Sequence, residues 1–249
     1  MIRSLATIGR CFFAITMIVF GLQQCAFAVL RSGQIFGPPW IVRNPFLIGV
    51  IGIVLVLAGL SIAIQYKARL GAQFLASVLL VYVIAIYLPR IIGSPRNPGF
   101  WTSAAELLCL AGAAFVAAGA SQGTQAQASE QSRALINTGR FLYALPLVVF
   151  AAQHFMYAQF VAMLVPAWIP ARLFWACFVG AAFIAASLSI IFKIKSSLAA
   201  ALLGLMFFLW VVIVHAPRIA LASHSANEWT SGLVALAMSG GAFMMADEK

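Results

Sequence analysis

The chain has 249 residues, of which 64% are hydrophobic and only 8% charged, with a formal net charge of +10. Its mean hydropathy is +1.04, whereas soluble domains are roughly half apolar and a quarter charged, so no water-soluble fold could cover this much apolar surface. The basic residues stand singly or in pairs at the ends of apolar runs and form no stripe, which excludes a nucleic-acid surface.

About 20 apolar residues cross a hydrocarbon core of roughly 30 Å as a helix. In chain order the stretches that meet this length are 9–30, 46–65, 70–92, 101–120, 139–161, 171–192, 197–217 and 229–246. The predicted fold is therefore all-α and integral to a membrane, with eight transmembrane helices. The breaks are chemical: GPPWIVRNP, YKARLG, PRIIGSPRNPGF, the polar run SQGTQAQASEQSR, VPAWIPAR, FKIKSS and PRIALASHSANEW. Pro, Gly and charge mark the places where a chain turns among headgroups.

Arg3 and Arg10 precede an apolar run that ends Ala26-Phe27-Ala28, the pattern of a cleavable signal. The same helix recurs at 139–161, where nothing could be cleaved, so the first span is expected to stay. Arg3, Arg10, Lys67, Arg69, Arg133, Arg140, Lys193, Lys195 and Lys249 fall on one side, and Arg31, Arg43, Arg90, Arg96, Arg172 and Arg218 on the other. Nine against six puts both termini in the cytoplasm. Cys11, Cys25, Cys109 and Cys177 lie within spans with no CxxC spacing and read as small buried apolar residues, and no metal site is expected.

The chain repeats itself. GRCFFAITMIVFGLQQ at 9–24 is answered by GRFLYALPLVVFAAQH at 139–154, PPWI at 38–41 by PAWI, Tyr66-Lys67 by Phe192-Lys193, YLPRI by HAPRI and FWTS by EWTS, at offsets of 126 to 130 residues. Residues 1–122 are a first four-span unit, 123–138 a polar linker and 139–249 a second unit. Because each unit has an even number of spans, the two are parallel repeats related by an axis along the membrane normal.

Polar groups within a bilayer are costly and usually face the bundle interior. Here they are Gln23, Gln24, Tyr87 and Glu106 in the first unit, and Gln153, His154 and His215 in the second. The repeat pairs Gln23 with Gln153, Gln24 with His154, Tyr87 with His215, and Glu106 with Val234. At about 1.5 Å per residue, His154 lies roughly 22 Å beyond Gly139, and all these groups gather toward the non-cytoplasmic third. Arg90 and Arg218 follow a Pro at the same repeat position, where an Arg either snorkels to phosphates or anchors an anion or a quinone head at a pocket mouth.

Gln23 and Gln153 suit bonds to neighbouring helices. The imidazoles of His154 and His215 suit quinone carbonyls, proton transfer or a metal. Haem would need axial ligands, and these two histidines come with no other haem motif. Zinc would need a third ligand nearby. The chain has no phosphate loop, dinucleotide fingerprint or nucleophile elbow, so it is expected not to be an enzyme by itself. Because only histidine among the paired residues changes charge near neutral pH, ligand or proton chemistry is expected in the second unit, with the first as scaffold and Glu106 either paired to Arg90 or Arg96 or holding a proton because burial raises its pKa.

The first-span pattern GR...A....VFG.Q, the four-span unit and its closing small-residue helix resemble the DoxX family of bacterial membrane proteins. FAAQHFMYAQFVAMLVPAWIP, HAPRI and EWTSGLVALAMSGGA carry the resemblance in the second unit. It implies a four-helix membrane unit, here in tandem, in a bacterial inner membrane, and a quinone-linked or accessory redox subunit. A small lipophilic ligand, a redox partner subunit and self-association fit that role, as does lipid or small-molecule transport or a purely structural part beside an enzyme. The family transfers no catalytic residues to this chain, and the cysteine pair that thiol oxidation would want nearby is lacking.

Overall fold

The computed structural model describes residues 2–30, 44–121 and 129–247. Arg31, Arg43, the PPWI at 38–41, residues 122–128 of the linker, Lys249 and the side chain of Arg3 lie outside the described residues. Nine helices are formed by the rest: α1 (Ile2–Leu30), α2 (Pro45–Ile64), α3 (Ala68–Gly93), α4 (Pro98–Ala120), α5 (Glu130–Met156), α6 (Ala158–Leu164), α7 (Arg172–Ile191), α8 (Ser196–Leu221) and α9 (Ala226–Ala246). All but the short α6 are long and apolar enough to cross a membrane, eight spans among the described residues. This is the make-up of a multi-pass membrane protein.

Helix starts follow capping chemistry. Asn44 accepts from the Leu47 amide and Asn97 from the Gly99 amide, each ahead of a Pro whose missing N–H costs nothing at that position. Ser225 caps α9 through the Glu228 amide. Ser129 caps α5 through the Ser132 amide, with Glu130 in the first turn, so α5 starts nine residues before the expected 139 and absorbs much of the predicted linker. From this added stretch into the expected span, Ser132, Ile136, Gly139 and Arg140 are buried while Glu130, Arg133 and Asn137 are exposed, a helical stripe written in mostly polar residues.

Both α3 and α8 contain one π-helical turn, Val83–Tyr87 and Val211–His215. The cause lies just downstream. Pro89 and Pro217 cannot donate, and their rings crowd the carbonyls four residues earlier, at Ala85 and Ile213, which the widened turn swings aside. In α5, Pro146 interrupts the α-helical pattern between Ala144 and Leu147.

α4 and α9 are the most buried spans and pack against each other in the middle of the molecule. The packing crosses between chain halves: α1 lies on α2 and α9, and α5 lies on α7 and α4. Glycine sets both crossings. A Cβ at Gly240 would stand 2.5 Å from the Gly9 carbonyl oxygen, and one at Gly112 2.6 Å from that of Gly139. Without side chains the backbones come close enough for dispersion to hold them, the force that remains when lipid tails are as apolar as the helices. The Tyr143 hydroxyl, fully buried, ties α5 to α9 by donating to the Met238 carbonyl at 2.5 Å. Outward faces carry Phe46, Leu57, Phe74, Val81, Phe160 and Leu202, all well exposed, as lipid-facing surfaces do.

Candidate functional site

The end of the bundle where α3 meets α4 and α8 meets α9 is built twice in the same way. Trp101 donates its indole N–H to the Pro95 carbonyl and Trp229 to that of Ser223, each at 2.9 Å, and Thr102 and Thr230 each bond back to the carbonyl four residues earlier. Toward this end lie Gln153, His154, Tyr87, His215 and Glu106, in line with the depth read from the sequence.

A cavity of about 570 Å³ runs inward from it, bounded by α1, α2, α3, α4 and α9. Its outer part is polar: Gln23 and Gln24 on α1, Tyr87 on α3, Thr102, Ser103 and Glu106 on α4, and Asn227, Thr230 and Ser231 on α9. The inner part is apolar, with Met17, Phe20, Ile51, Leu55, Leu79 and Leu110, and Tyr82 stands between with its ring 6.0 Å from that of Tyr87. Such a volume, with an apolar body and a few convergent polar groups, has the proportions of a small-ligand site.

In the other half the matching space is solid. Leu55, Leu79 and Tyr82 correspond, one repeat later, to Phe183, Phe207 and Trp210. Phe183 lies 5.7 Å from Phe207 and 5.9 Å from Trp210, and Phe150 closes on Phe183 at 5.7 Å. His154, the counterpart of Gln24, stacks on Trp210 at 6.0 Å and bonds through Nδ1 with the Phe150 carbonyl at 2.8 Å. Its imidazole is held by packing. The open cavity thus lies in the half expected to be scaffold.

The remaining predicted residues separate. Gln153 joins two helices: its amide donates to the Pro98 carbonyl and its Oε1 accepts from Thr102, both at 2.9 Å. Gln23, its repeat partner, makes no such bond and faces the cavity. His215 packs at Gly232 on α9, and its Nδ1 is buried without a hydrogen-bond partner among the described residues.

Arg218 pairs with Glu228 at 2.8 Å. Arg90 lies instead over the rings of Tyr87 and Phe100, at 5.7 and 5.8 Å, because Phe100 stands where the second half has Glu228. Glu106 pairs with neither Arg90 nor Arg96, so of its two expected states the ion pair fails: no ion pair or hydrogen bond reaches it from any described residue. No three His, Cys, Asp or Glu side chains gather among the described residues, and the four cysteines are free.

Residue patterns did not single out Thr102, Ser103, Thr230 and Ser231, though all four sit in the repeated FWTS and EWTS. That doubling was their only signal. No protein-family model matches the chain, and no curated protein and no solved structure matches it either.

Proposed function

We propose that this chain is a membrane protein of two parallel four-helix units, DoxX-like in plan, that holds a small lipophilic molecule with a polar head in the cavity of its first unit. The paired π-turns, the paired tryptophan caps and the crossings Gly9–Gly240 and Gly139–Gly112 support the duplication. Positive charge supports an orientation with the Lys67 and Lys195 turns in the cytoplasm of a bacterial cell, so that the cavity's polar part faces the other side.

One observation carries the reading: of two spaces at matching positions, one is plugged by Phe183, Phe207 and Trp210 and the other is open and polar at its outer part. Packing alone would fill both, since an unfilled volume forfeits dispersion contacts. A quinone, the occupant implied by the resemblance, joins an apolar ring to carbonyl acceptors and is a suitable first probe, in keeping with an accessory role beside a redox enzyme.

The test copies the second unit into the first. Protein purified from native membranes should release a small lipophilic compound, detected by mass spectrometry of its extract, or bind a short-chain quinone. Leu55→Phe with Leu79→Phe should cut that occupancy at least tenfold while the detergent melting temperature holds or rises. If the wild type yields no compound and binds no quinone, or the filled variant binds as well as the wild type, the cavity is not a ligand site.

A further inference from the structure

Glu106 is an acid inside a span, eight residues into α4, and it lines the cavity with no ion pair to any described residue. None of the described lining residues is basic. The Arg90 guanidinium is committed to the faces of Tyr87 and Phe100. A carboxylate left unpaired in a low-dielectric interior is destabilising, and such residues persist where a ligand or ion completes them. Val234, at the repeat position that matches Glu106, lines the same cavity, so the acid has no charged counterpart there, while aromatic rings fill the matching space of the second half.

Taken with its surroundings, Glu106 specifies a ligand. Phe20, Tyr82 and Tyr87 present rings to the same cavity, and Gln24 and Ser103 present oxygen acceptors. Ring faces attract cations through their quadrupole, the more strongly once water is excluded. An anion, aromatic faces and an apolar floor, with the Arg90 guanidinium already engaged by the rings of Tyr87 and Phe100 and no described basic side chain in the lining, are complementary to one class of molecule.

We infer that the cavity prefers lipophilic cations, such as hydrophobic amines and onium compounds, with Glu106 as their counter-ion. The inference rests on the cavity being a ligand site and selects among its lipophilic occupants. Charge, not shape, is the discriminating feature, so a neutral molecule of the same outline binds more weakly.

The experiment compares tetraphenylphosphonium with triphenylphosphine oxide, a neutral compound of similar outline, by equilibrium binding to the full chain in detergent. The wild type should bind the cation at least tenfold more tightly. Glu106→Gln should bring the two affinities within about threefold of each other, chiefly by weakening the cation, and Glu106→Asp should restore part of the preference. Melting temperature, together with unchanged binding of the neutral probe, shows that each variant is folded. Equal wild-type affinities, or a preference that survives Glu106→Gln, would overturn the inference. If the neutral probe binds and is blocked by Leu55→Phe with Leu79→Phe while the cation is not favoured, the cavity reading stands and the charge assignment falls. If neither probe binds, both fall together.

Discussion

Two pairs of equivalent residues have taken different work. Gln153 bridges α5 and α4 through two hydrogen bonds, whereas Gln23 at the matching position lines the cavity. Hydrogen bonds between membrane helices average about 0.6 kcal/mol and reach about 1.7, so Gln153→Leu should lower stability by roughly 1 to 2 kcal/mol, read from unfolding titrations in mixed micelles. Gln23→Leu should leave stability nearly unchanged and alter ligand binding. Arg218 and Glu228 form an ion pair whose Arg is 38% exposed. Exposed pairs contribute about 0 to 1 kcal/mol, and the first half manages with Arg90 over Phe100. Glu228→Phe should therefore cost under about 1 kcal/mol by the same titration, and a larger loss would mean that the pair has a role beyond the headgroup region. The polarity of these residues was legible in sequence, but their division of labour was not, because it depends on which helix each one meets.

At the scale of helices, contacts between small residues set the crossing geometry. Ala at Gly112 or Gly240 would place a Cβ against a facing carbonyl that cannot yield without moving a helix, and overpacking of this kind costs about 1 to 3 kcal/mol. Gly93 has no atom within 4 Å of a built Cβ, so Gly93→Ala should be neutral or slightly stabilising. A thermal-melt series should separate the two classes; equal shifts at all three positions would refute the close-approach account. The tight turns between α2 and α3 and between α7 and α8 were less legible. Each uses two left-handed residues, Gln65 and Lys67 in one and Lys193 and Lys195 in the other, with none of the Gly or Asn that announces such backbone. The geometry aligns Lys67 with Lys195, two residues away from the Tyr66-Lys67 and Phe192-Lys193 match.

At the scale of the whole molecule, the parallel arrangement proposed for the two units is open to direct test. In a chain whose four cysteines are replaced, Lys67→Cys and Lys195→Cys should react with a membrane-impermeant maleimide from one face, and Ser94→Cys and Ser223→Cys from the other. Labelling of Lys67→Cys and Lys195→Cys from opposite faces would make the repeats inverted. The described packing exchanges partners between halves, α1 against α9 and α5 against α4, so neither half should melt alone. A single cooperative transition in detergent is the expected result, and two separated transitions would contradict it.

Composition and spacing were enough to determine eight apolar helices, since a span needs only length and hydropathy, and to show recurring sequence at a near-constant offset, on which the proposed doubling rests. The bend at Pro146 and the widened turns before Pro89 and Pro217 also follow from local chemistry once proline's missing donor is considered. Which half holds an open cavity was decided only in three dimensions. Leu55 and Leu79 differ from Phe183 and Phe207 by side-chain volume, a difference with no meaning until α2, α3 and α4 enclose a common space. Histidine drew the sequence reading to the second unit because its charge can change near neutral pH, yet His154 is held between rings. Glu106, already a candidate from its place inside a span, stood out from the other polar residues once the tertiary structure gave Arg90 to Tyr87 and Phe100 and left the carboxylate lining the cavity.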